Sequence, residues 1–309
     1  MADAKTHAGS FATRLAAAKG MVFDLDGTLV LGDKNVGGHR VLPGAIEFLA
    51  QLREWQLPFQ ILTNGTIHTP PSYAQKMRAI GLDIRDDEMM TPSTAATDYF
   101  VAKGIRRVLV LGGVGVWQPL ADAGIEVVES SKGDADVDAV YVGWFREFTM
   151  PDLEIAAQAI WKGALLTTAS NVPFFATAGG RSIGSSFAIN VMLTALTGKK
   201  TRVLGKPARQ ALLSAARRMQ LGARDLRGIV VVGDDPQLET AMANAAGAIS
   251  VAVTTGLSSK AMLAKLPLRQ RPHRIVANVQ ELLTQMQKQR RGRTGRRPGK
   301  GRPGKGRPP

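Results

Sequence analysis

The stretch Met21-Val22-Phe23-Asp24-Leu25-Asp26-Gly27-Thr28 places two carboxylates directly after a short apolar run. Such a run is typical of a strand that is buried on both faces of a parallel sheet. In sheets of this kind, ligands bind beyond the carboxyl ends of the strands. The stretch therefore predicts a buried strand that delivers Asp24 and Asp26 to a ligand site.

Further apolar runs alternate with amphipathic helical stretches, which is the pattern of a parallel sheet covered by helices on both faces. Strands are predicted at 21–23, 58–62, 108–111, 139–142, 202–204, 229–232 and 249–253. Helices are predicted at 44–55, 72–80, 93–102, 153–161, 186–196, 208–219, 238–246 and 279–287. We therefore expect an α/β fold built on a doubly wound, Rossmann-like parallel sheet.

Polar segments follow three more of the predicted strands. They are Thr63-Asn64-Gly65-Thr66, Gly205-Lys206-Pro207 and Gly233-Asp234-Asp235-Pro236. If these strands share one sheet, one of its edges carries carboxylates, a hydroxyl, an amine and tight glycine turns. Phosphoryl transfer needs a nucleophile, a proton donor and positive charge, and these segments supply all three.

Each segment has a candidate role in such a reaction. One carboxylate of the Asp24 and Asp26 pair can attack phosphorus while the other handles the proton of the leaving group. Thr63, with the backbone donors of the Asn64-Gly65 turn, can hold phosphoryl oxygens, and Lys206 can neutralise them.

Asp234 completes an oxygen-only site with Asp24. Several carboxylates that are crowded together repel one another and shift each other's pKa values. A hard divalent cation relieves that repulsion, so Mg²⁺ is the expected cofactor.

The four segments, in this order, resemble the four motifs of the haloacid dehalogenase superfamily. The separation of about 140 residues between the second and third motifs is similar to that of its class IIA phosphatases, the p-nitrophenyl-phosphatase and phosphoglycolate-phosphatase type. The resemblance covers roughly residues 21 to 283. It implies a Mg²⁺-dependent phosphatase that hydrolyses small phosphate monoesters through an aspartyl-phosphate intermediate.

The resemblance also implies a role for each matching residue. Asp24 is the nucleophile, and Asp26 is the acid/base that also binds the metal through its main-chain carbonyl. Thr63 and Lys206 hold phosphate, and Asp234 is the second carboxylate on Mg²⁺. An aspartate at position 26 favours a phosphatase over the dehalogenase and ATPase members of the superfamily.

Some positions depart from the family pattern. Glu239 stands where the family usually has a second aspartate five residues after Asp234, and we expect it to orient Lys206 or a metal-bound water. We expect a supporting role for Asp235 as well.

Two departures fall in the segment that corresponds to the family's cap. A Thr-Asn-Pro-Asp loop reads Ser170-Asn171-Val172-Pro173-Phe174-Phe175, and a Gly-Leu-Asp-Arg segment reads Gly143-Trp144-Phe145-Arg146. Asn171, Phe174 and Phe175 are therefore candidate substrate contacts on an altered specificity surface.

The resemblance implies a mobile α/β cap domain inserted after the second motif. Its strands are predicted at 108–111, 125–128, 139–142 and 164–167. The chain then divides into an N-terminal extension at 1–19, a catalytic core at 20–103 and 198–287, the cap at 104–197, and a basic disordered tail at 288–309.

The net charge of +15 is concentrated in the tail, which contributes ten basic residues and no acidic ones. Recurrent glycine and proline, with nothing apolar to bury, predict that the tail is disordered. Such a segment can bind nucleic acid or another polyanion weakly through its charge.

Two other functions remain open from the residues. One is a polyanion-binding or nucleic-acid-binding protein that keeps the fold, and the other is a phosphotransferase, which differs only in the acceptor of the phosphoryl group. His39, His68 and His273 show no metal-ligand spacing, so we expect them to have surface or packing roles.

The chain has no cysteine, which excludes disulfides and thiolate metal sites. We find no signal-peptide pattern and no apolar stretch long enough to cross a membrane. We therefore expect a cytoplasmic protein whose partner is a small phosphorylated metabolite, with no membrane association; a homo-oligomer is compatible with the sequence.

Overall fold

The computed structural model describes residues 10–33, 38–133, 135–177 and 180–294. The strands are β1 (Gly20–Phe23), β2 (Val30–Asp33), β3 (Gly38–Val41), β4 (Phe59–Leu62), β5 (Met89–Met90), β6 (Arg107–Leu111), β7 (Glu126–Glu129), β8 (Ala139–Val142), β9 (Leu165–Thr168), β10 (Phe174–Thr177), β11 (Gly180–Ile183), β12 (Arg202–Val203), β13 (Ile229–Gly233), β14 (Ile249–Val253) and β15 (Arg274–Val276). The helices are α1 (Phe11–Ala16), α2 (Ala45–Glu54), α3 (Pro70–Ala79), α4 (Pro92–Lys103), α5 (Val114–Asp122), α6 (Met150–Trp161), α7 (Ser185–Thr197), α8 (Arg209–Arg218), α9 (Ala241–Ala246), α10 (Lys260–Lys265) and α11 (Val279–Thr294).

A six-stranded parallel sheet in the order β15-β14-β13-β1-β4-β5 carries most of the predicted site. From β1 the chain builds the sheet outward to β4 and β5 on one side, and later to β13, β14 and β15 on the other. The strand order therefore reverses at β1, and the crevice beyond its carboxyl end is where such sheets bind ligands. The predicted doubly wound α/β fold is confirmed.

A second, five-stranded parallel sheet has the order β12-β9-β8-β6-β7. The sequence analysis assigned residues 202–204 to the core, and that assignment is wrong. Arg202 and Val203 form an edge strand of the second sheet, paired with Thr167 and Thr168 of β9. The chain turns towards the first sheet only at Gly205, whose N–H donates to the Ala169 carbonyl (3.2 Å). An edge strand of two residues has too little pattern to show which sheet it joins.

Helix α4 packs against both sheets. Ala95 lies in one of the apolar clusters that pack against the first sheet, together with Val22 and Leu62. Its neighbours Ala96, Tyr99 and Phe100 belong instead to the cluster below the second sheet, which also contains Val108, Val110 and Tyr141. A single helix thus joins the two cores.

The last helix is longer than predicted. The tail was predicted to be disordered from residue 288, but α11 continues to Thr294, so that prediction is wrong for residues 288–294. Met286 is buried, Gln287 Nε2 donates to Gln51 Oε1 (3.0 Å), and the Arg290 guanidinium lies 4.5 Å from the centre of the Trp55 ring. The first two contacts hold the predicted part of the helix, and the contact of Arg290 with Trp55 stabilises the extra turns. The predicted tail beyond residue 294 lies outside the described residues.

Several shorter elements were not predicted. The predicted N-terminal extension contains α1, whose Leu15 is buried, and its first nine residues lie outside the described ones. The hairpins β2–β3 and β10–β11 were also missed, and a π-helical turn at Pro236–Thr240 precedes α9. Within the ranges that the structure describes, no helix has the length and apolarity to cross a membrane.

A buried carboxylate stabilises the edge of the first sheet. Glu88 accepts hydrogen bonds from Arg53 Nη1 and Nη2 (2.9 and 2.8 Å) and from the Arg85 main-chain N–H (2.9 Å). Arg85 Nη2 also lies 2.9 Å from Glu88 Oε1. The network holds the turn that leads into β5.

We expect Glu88→Ala to lower the free energy of unfolding by about 2 kcal/mol, because two partly exposed guanidinium groups lose a buried partner. Chemical denaturation measures the change. Asp87→Ala is the matched control, since the Asp87 side chain is 75% exposed and lies 3.5 Å from Arg85, and it should cost less than about 0.5 kcal/mol. Equal losses in the two variants would contradict a stabilising role for the Glu88 network.

Candidate active site

Asp24 is the first residue after β1, and its main-chain N–H donates to the Val232 carbonyl (2.9 Å). The side chain is buried and both of its oxygens are held. Oδ1 lies 2.5 Å from Lys206 Nζ, and Oδ2 accepts a hydrogen bond from Thr28 Oγ1 (3.0 Å). Burial raises the pKa of Asp24, while the charge of Lys206 opposes that effect. The carboxylate is fixed in one orientation at the switch point of the sheet.

The Lys206 side chain is only 2% exposed and pairs with two carboxylates. Its Nζ lies 2.5 Å from Asp24 Oδ1 and 2.6 Å from Glu239 Oε1. Burial alone would lower the pKa of Lys206, but the two carboxylates outweigh that effect and raise it. Lys206 therefore keeps its charge and lies in contact with Glu239, and the expected role of Glu239 in orienting Lys206 or a metal-bound water stays a prediction.

The Thr63-Asn64-Gly65 turn after β4 lies against Lys206. Asn64 Nδ2 donates to the Lys206 carbonyl (3.1 Å), and the Lys206 N–H donates to Asn64 Oδ1 (2.9 Å). Thr63 is buried, and its Oγ1 accepts a hydrogen bond from the Gly65 N–H (3.0 Å). A Cβ at Gly65 would collide with the Tyr73 hydroxyl, so a larger residue here would force the Tyr73 side chain to move. The side chain of Asn64 thus positions the backbone that carries Lys206.

Asp234, which follows β13, is packed between two glycines. Its Oδ2 accepts a hydrogen bond from the Leu257 N–H (2.8 Å). A Cβ at Gly27, where φ is +85°, would come within 2.5 Å of the same oxygen, and a Cβ at Gly256 would come closer still. Burial, together with the negative charge of Asp24, raises the pKa of Asp234 to about 6.

Sequence reasoning missed the loop after β14 that contains Gly256 and Leu257. Thr255 Oγ1 in this loop donates to the Gly27 carbonyl (2.5 Å) and joins the loop to the first motif. The available signal was its position, since the loop follows a predicted strand and β14 lies beside β13 in the sheet. Asp235 accepts a hydrogen bond from the Gln237 N–H (2.8 Å) and caps the turn that carries Glu239.

Asp26 follows Asp24 by two residues, and its side chain is 57% exposed. His39 Nε2 on β3 lies 3.2 Å from Asp26 Oδ1. The hydrogen bond with Asp26 is the main reason that the pKa of His39 is raised. His39 is thus partly exposed and contacts a candidate catalytic carboxylate, a contact that the sequence analysis did not expect.

The donor set fits Mg²⁺. Throughout 10–33, 38–133, 135–177 and 180–294, no three histidine or acidic side chains converge as a ready metal-ligand cluster. Burial, and after it the negative charge of Asp24, nevertheless raise the pKa of Asp234, which indicates that the two carboxylates lie near each other. Mg²⁺ commonly takes one or two carboxylates and keeps several waters, so a pair of carboxylates suits it.

Loops of the second sheet reach the first sheet beside these motifs. The Trp144 N–H donates to Thr66 Oγ1 (3.0 Å), and Gly205 contacts Ala169 as described above. A Cβ at Gly115 would collide with the main-chain carbonyls of Thr66 and His68, so α5 also packs directly on the loop after β4.

The predicted cap contacts lie beyond Ala169. Asn171 is exposed in the loop after β9, and Phe174 is half exposed on β10 opposite Ile183. The Phe175 backbone pairs with Ser182, and its side chain lies outside the described part of the structure. Contact of these residues with substrate stays a prediction.

The chain matches known families over both halves of the first sheet. Residues 21–126 match the family described as haloacid dehalogenase-like hydrolase, and residues 203–282 match the one described as HAD-hydrolase-like. Together the two regions make up more than half of the chain. An acid sugar phosphatase of Staphylococcus haemolyticus is 28% identical over 243 residues, which cover 78% of this chain and 87% of the relative.

Solved structures agree with this assignment. A glycerol phosphate phosphatase of Mycobacterium tuberculosis in complex with magnesium is 27% identical, with a TM-score of 0.74 over 91% of this chain and 78% of that chain. The 4-nitrophenylphosphatase of Thermotoga maritima is 23% identical, with a TM-score of 0.77 over 88% of this chain and 99% of that chain, and supports the fold. Since the matching regions also carry the buried Asp24, Lys206 and Asp234 cluster, the chain belongs to the haloacid dehalogenase superfamily, among its class IIA phosphatases.

Proposed function

We propose that this chain hydrolyses small phosphate monoesters with Mg²⁺, through an aspartyl-phosphate formed on Asp24. The observation that carries the proposal is the buried contact between the Asp24 carboxylate and the Lys206 ammonium at the switch point of the sheet. The arrangement puts a nucleophile beside a fixed positive charge, as attack on an anionic phosphoryl group requires. The similar acid sugar phosphatase and glycerol phosphate phosphatase support a small phosphorylated substrate.

In the first half-reaction, an Asp24 oxygen forms a bond to phosphorus while the bond from phosphorus to the leaving oxygen breaks. Asp26 donates a proton to that leaving oxygen. The Thr63 hydroxyl and Lys206 Nζ hold the phosphoryl oxygens. Because Glu239 also binds Lys206, the ammonium stays in place when Asp24 becomes neutral in the acyl phosphate.

In the second half-reaction, Asp26 accepts a proton from a water molecule as the water attacks phosphorus. The bond between Asp24 and phosphorus breaks, and inorganic phosphate leaves with the carboxylate restored. Asp24, Asp234 and the Asp26 carbonyl would hold Mg²⁺, which supplies positive charge at the phosphoryl group.

Two alternatives are less favoured. A phosphotransferase would use the same groups with another acceptor, but the named relatives are phosphatases. A protein that only binds polyanions would have no use for a buried lysine between two carboxylates. We propose that polyanion contact is a separate property of the basic tail.

Asp24→Asn should lower kcat by about 10³-fold or more, because an amide is a poor nucleophile for phosphorus. Asp122→Asn, which changes an exposed carboxylate on α5, is the matched control and should keep full activity. Acid quenching during turnover of a ³²P-labelled substrate should leave label on the wild-type chain and none on Asp24→Asn. A folded Asp24→Asn variant with substantial turnover would contradict the covalent mechanism.

Gly256→Ala should raise the Mg²⁺ concentration needed for half-maximal activity by about tenfold, because the new Cβ displaces the Asp234 carboxylate. Gly222→Ala is the control, since its Cβ makes only an ordinary contact 3.6 Å from Asp225 Oδ2. Calorimetric titration with Mg²⁺ gives a second measure that does not depend on turnover. Unchanged Mg²⁺ affinity in Gly256→Ala would argue against a metal role for Asp234.

Ending the chain after Thr294 should leave kcat and KM on small esters within about twofold and weaken binding to a single-stranded oligonucleotide. The change keeps α11 whole and removes six basic residues. If all six contact phosphates, the slope of log affinity against log salt should fall by about 4. A full-length variant with these six residues changed to Gln separates charge from length, and unchanged oligonucleotide affinity in it would refute the proposed contact.

A further inference from the structure

The hairpin formed by β2 and β3 follows directly on the first motif. Val30 pairs with Val41, Gly32 pairs with His39, and the Leu42 N–H donates to the Leu29 carbonyl (2.9 Å). Along β3, His39 is half buried, whereas the adjacent Arg40 is exposed. The register therefore turns the His39 side chain inward, towards the end of β1.

Asp26 needs a partner to stay in one orientation. Its backbone is fixed, since the Gly27 N–H donates to the Val30 carbonyl (2.7 Å) and Asp26 forms a β-bridge with Val30. Its side chain is more than half exposed, so solvent alone would leave several rotamers accessible. The contact between His39 Nε2 and Asp26 Oδ1, at 3.2 Å, selects one of them.

We propose that His39 is a positioning residue, which holds Asp26 so that the other carboxyl oxygen, Oδ2, faces the leaving group. Nε2–H donates to Oδ1, and Oδ2 carries the proton that moves to the leaving oxygen as its bond to phosphorus breaks. The inference rests on the proposed function, because it assigns Asp26 as the proton donor.

Proton transfer strengthens the contact. Once Oδ2 has lost its proton, Asp26 is a carboxylate, and a hydrogen bond to a charged acceptor is roughly twice as strong as a neutral one. The stabilisation therefore grows towards the transition state, where it raises kcat rather than substrate affinity.

Other charged and aromatic groups lie near the His39 imidazole. Lys76 Nζ on α3 lies 2.6 Å from His68 Nε2, and the His68 ring meets Tyr73 edge-on at 5.2 Å. The positive charge of Lys76 disfavours a charged His39, and Asp26 favours it. Nε2–H can be present in either protonation state, so the contact with Asp26 does not require His39 to titrate.

The dependence on the leaving group distinguishes positioning from a structural role. An alkoxide leaves phosphorus only if it receives a proton, whereas p-nitrophenolate is stable as an anion and leaves without one. Loss of an oriented Asp26 should therefore slow the hydrolysis of alkyl esters and spare aryl esters.

The test compares His39→Ala, His39→Gln and the control Arg40→Ala on glycerol phosphate and on p-nitrophenyl phosphate. We expect His39→Ala to lower kcat/KM, which reports the half-reaction that expels the leaving group, about 30-fold on the alkyl ester and less than about threefold on the aryl ester. Gln, whose amide can donate to Asp26, should restore most of the activity. Arg40→Ala should behave as the wild type.

Equal losses on the two esters, or a Gln variant no better than Ala, would overturn the positioning role while leaving the phosphatase proposal intact. A wild-type chain that hydrolyses neither ester would refute the proposed function itself and this inference with it. If His39→Ala fails to fold, His39→Leu, which cannot donate to Asp26, takes its place: a loss confined to the alkyl ester supports positioning, and an equal loss on both esters refutes it.

Discussion

The burial of one ammonium group between two carboxylates is the interaction on which this site depends. The Lys206 side chain contacts Asp24 and Glu239. Its backbone is hydrogen-bonded to Asn64 and follows β12 of the second sheet. It therefore links β1, β4, β12 and the turn after β13. A buried charge that loses its partner is costly, so the same contacts that hold the proposed nucleophile, Asp24, also stabilise the junction of the two sheets.

The site nevertheless contains three buried carboxyl groups, those of Asp24, Asp234 and Glu239, for the one ammonium group of Lys206. Burial raises the pKa values of Asp24, Asp234 and Glu239, and repulsion from neighbouring carboxylates raises them further. A divalent cation reduces this repulsion, and a phosphoryl group can then enter an otherwise acidic site. In the proposed reaction, Lys206 Nζ would contact the phosphoryl oxygens while it keeps its contact with Glu239. The cation and the substrate are thus expected to favour each other's binding.

Much of the fold and the core of the site can be predicted from the sequence. The strands that carry Asp24 and Asp234 are buried on both faces, so their continuous apolar runs mark them clearly. Contacts between distant segments have no such periodic signal. His39 contacts Asp26 from a hairpin that the hydrophobic pattern did not predict. Gly256 is constrained only by the Asp234 side chain that packs against it. The last turns of α11 depend on a ring contact with Trp55.

Helix α4 packs in both apolar clusters, and this position limits how far the two sheets can move apart. If the sheets separated at this helix, apolar surface of one cluster would be exposed to water. The cost in free energy would be about 25 cal/mol per Å² of exposed apolar surface. Any motion of the two sheets relative to each other that keeps both clusters buried would therefore have to pivot at α4.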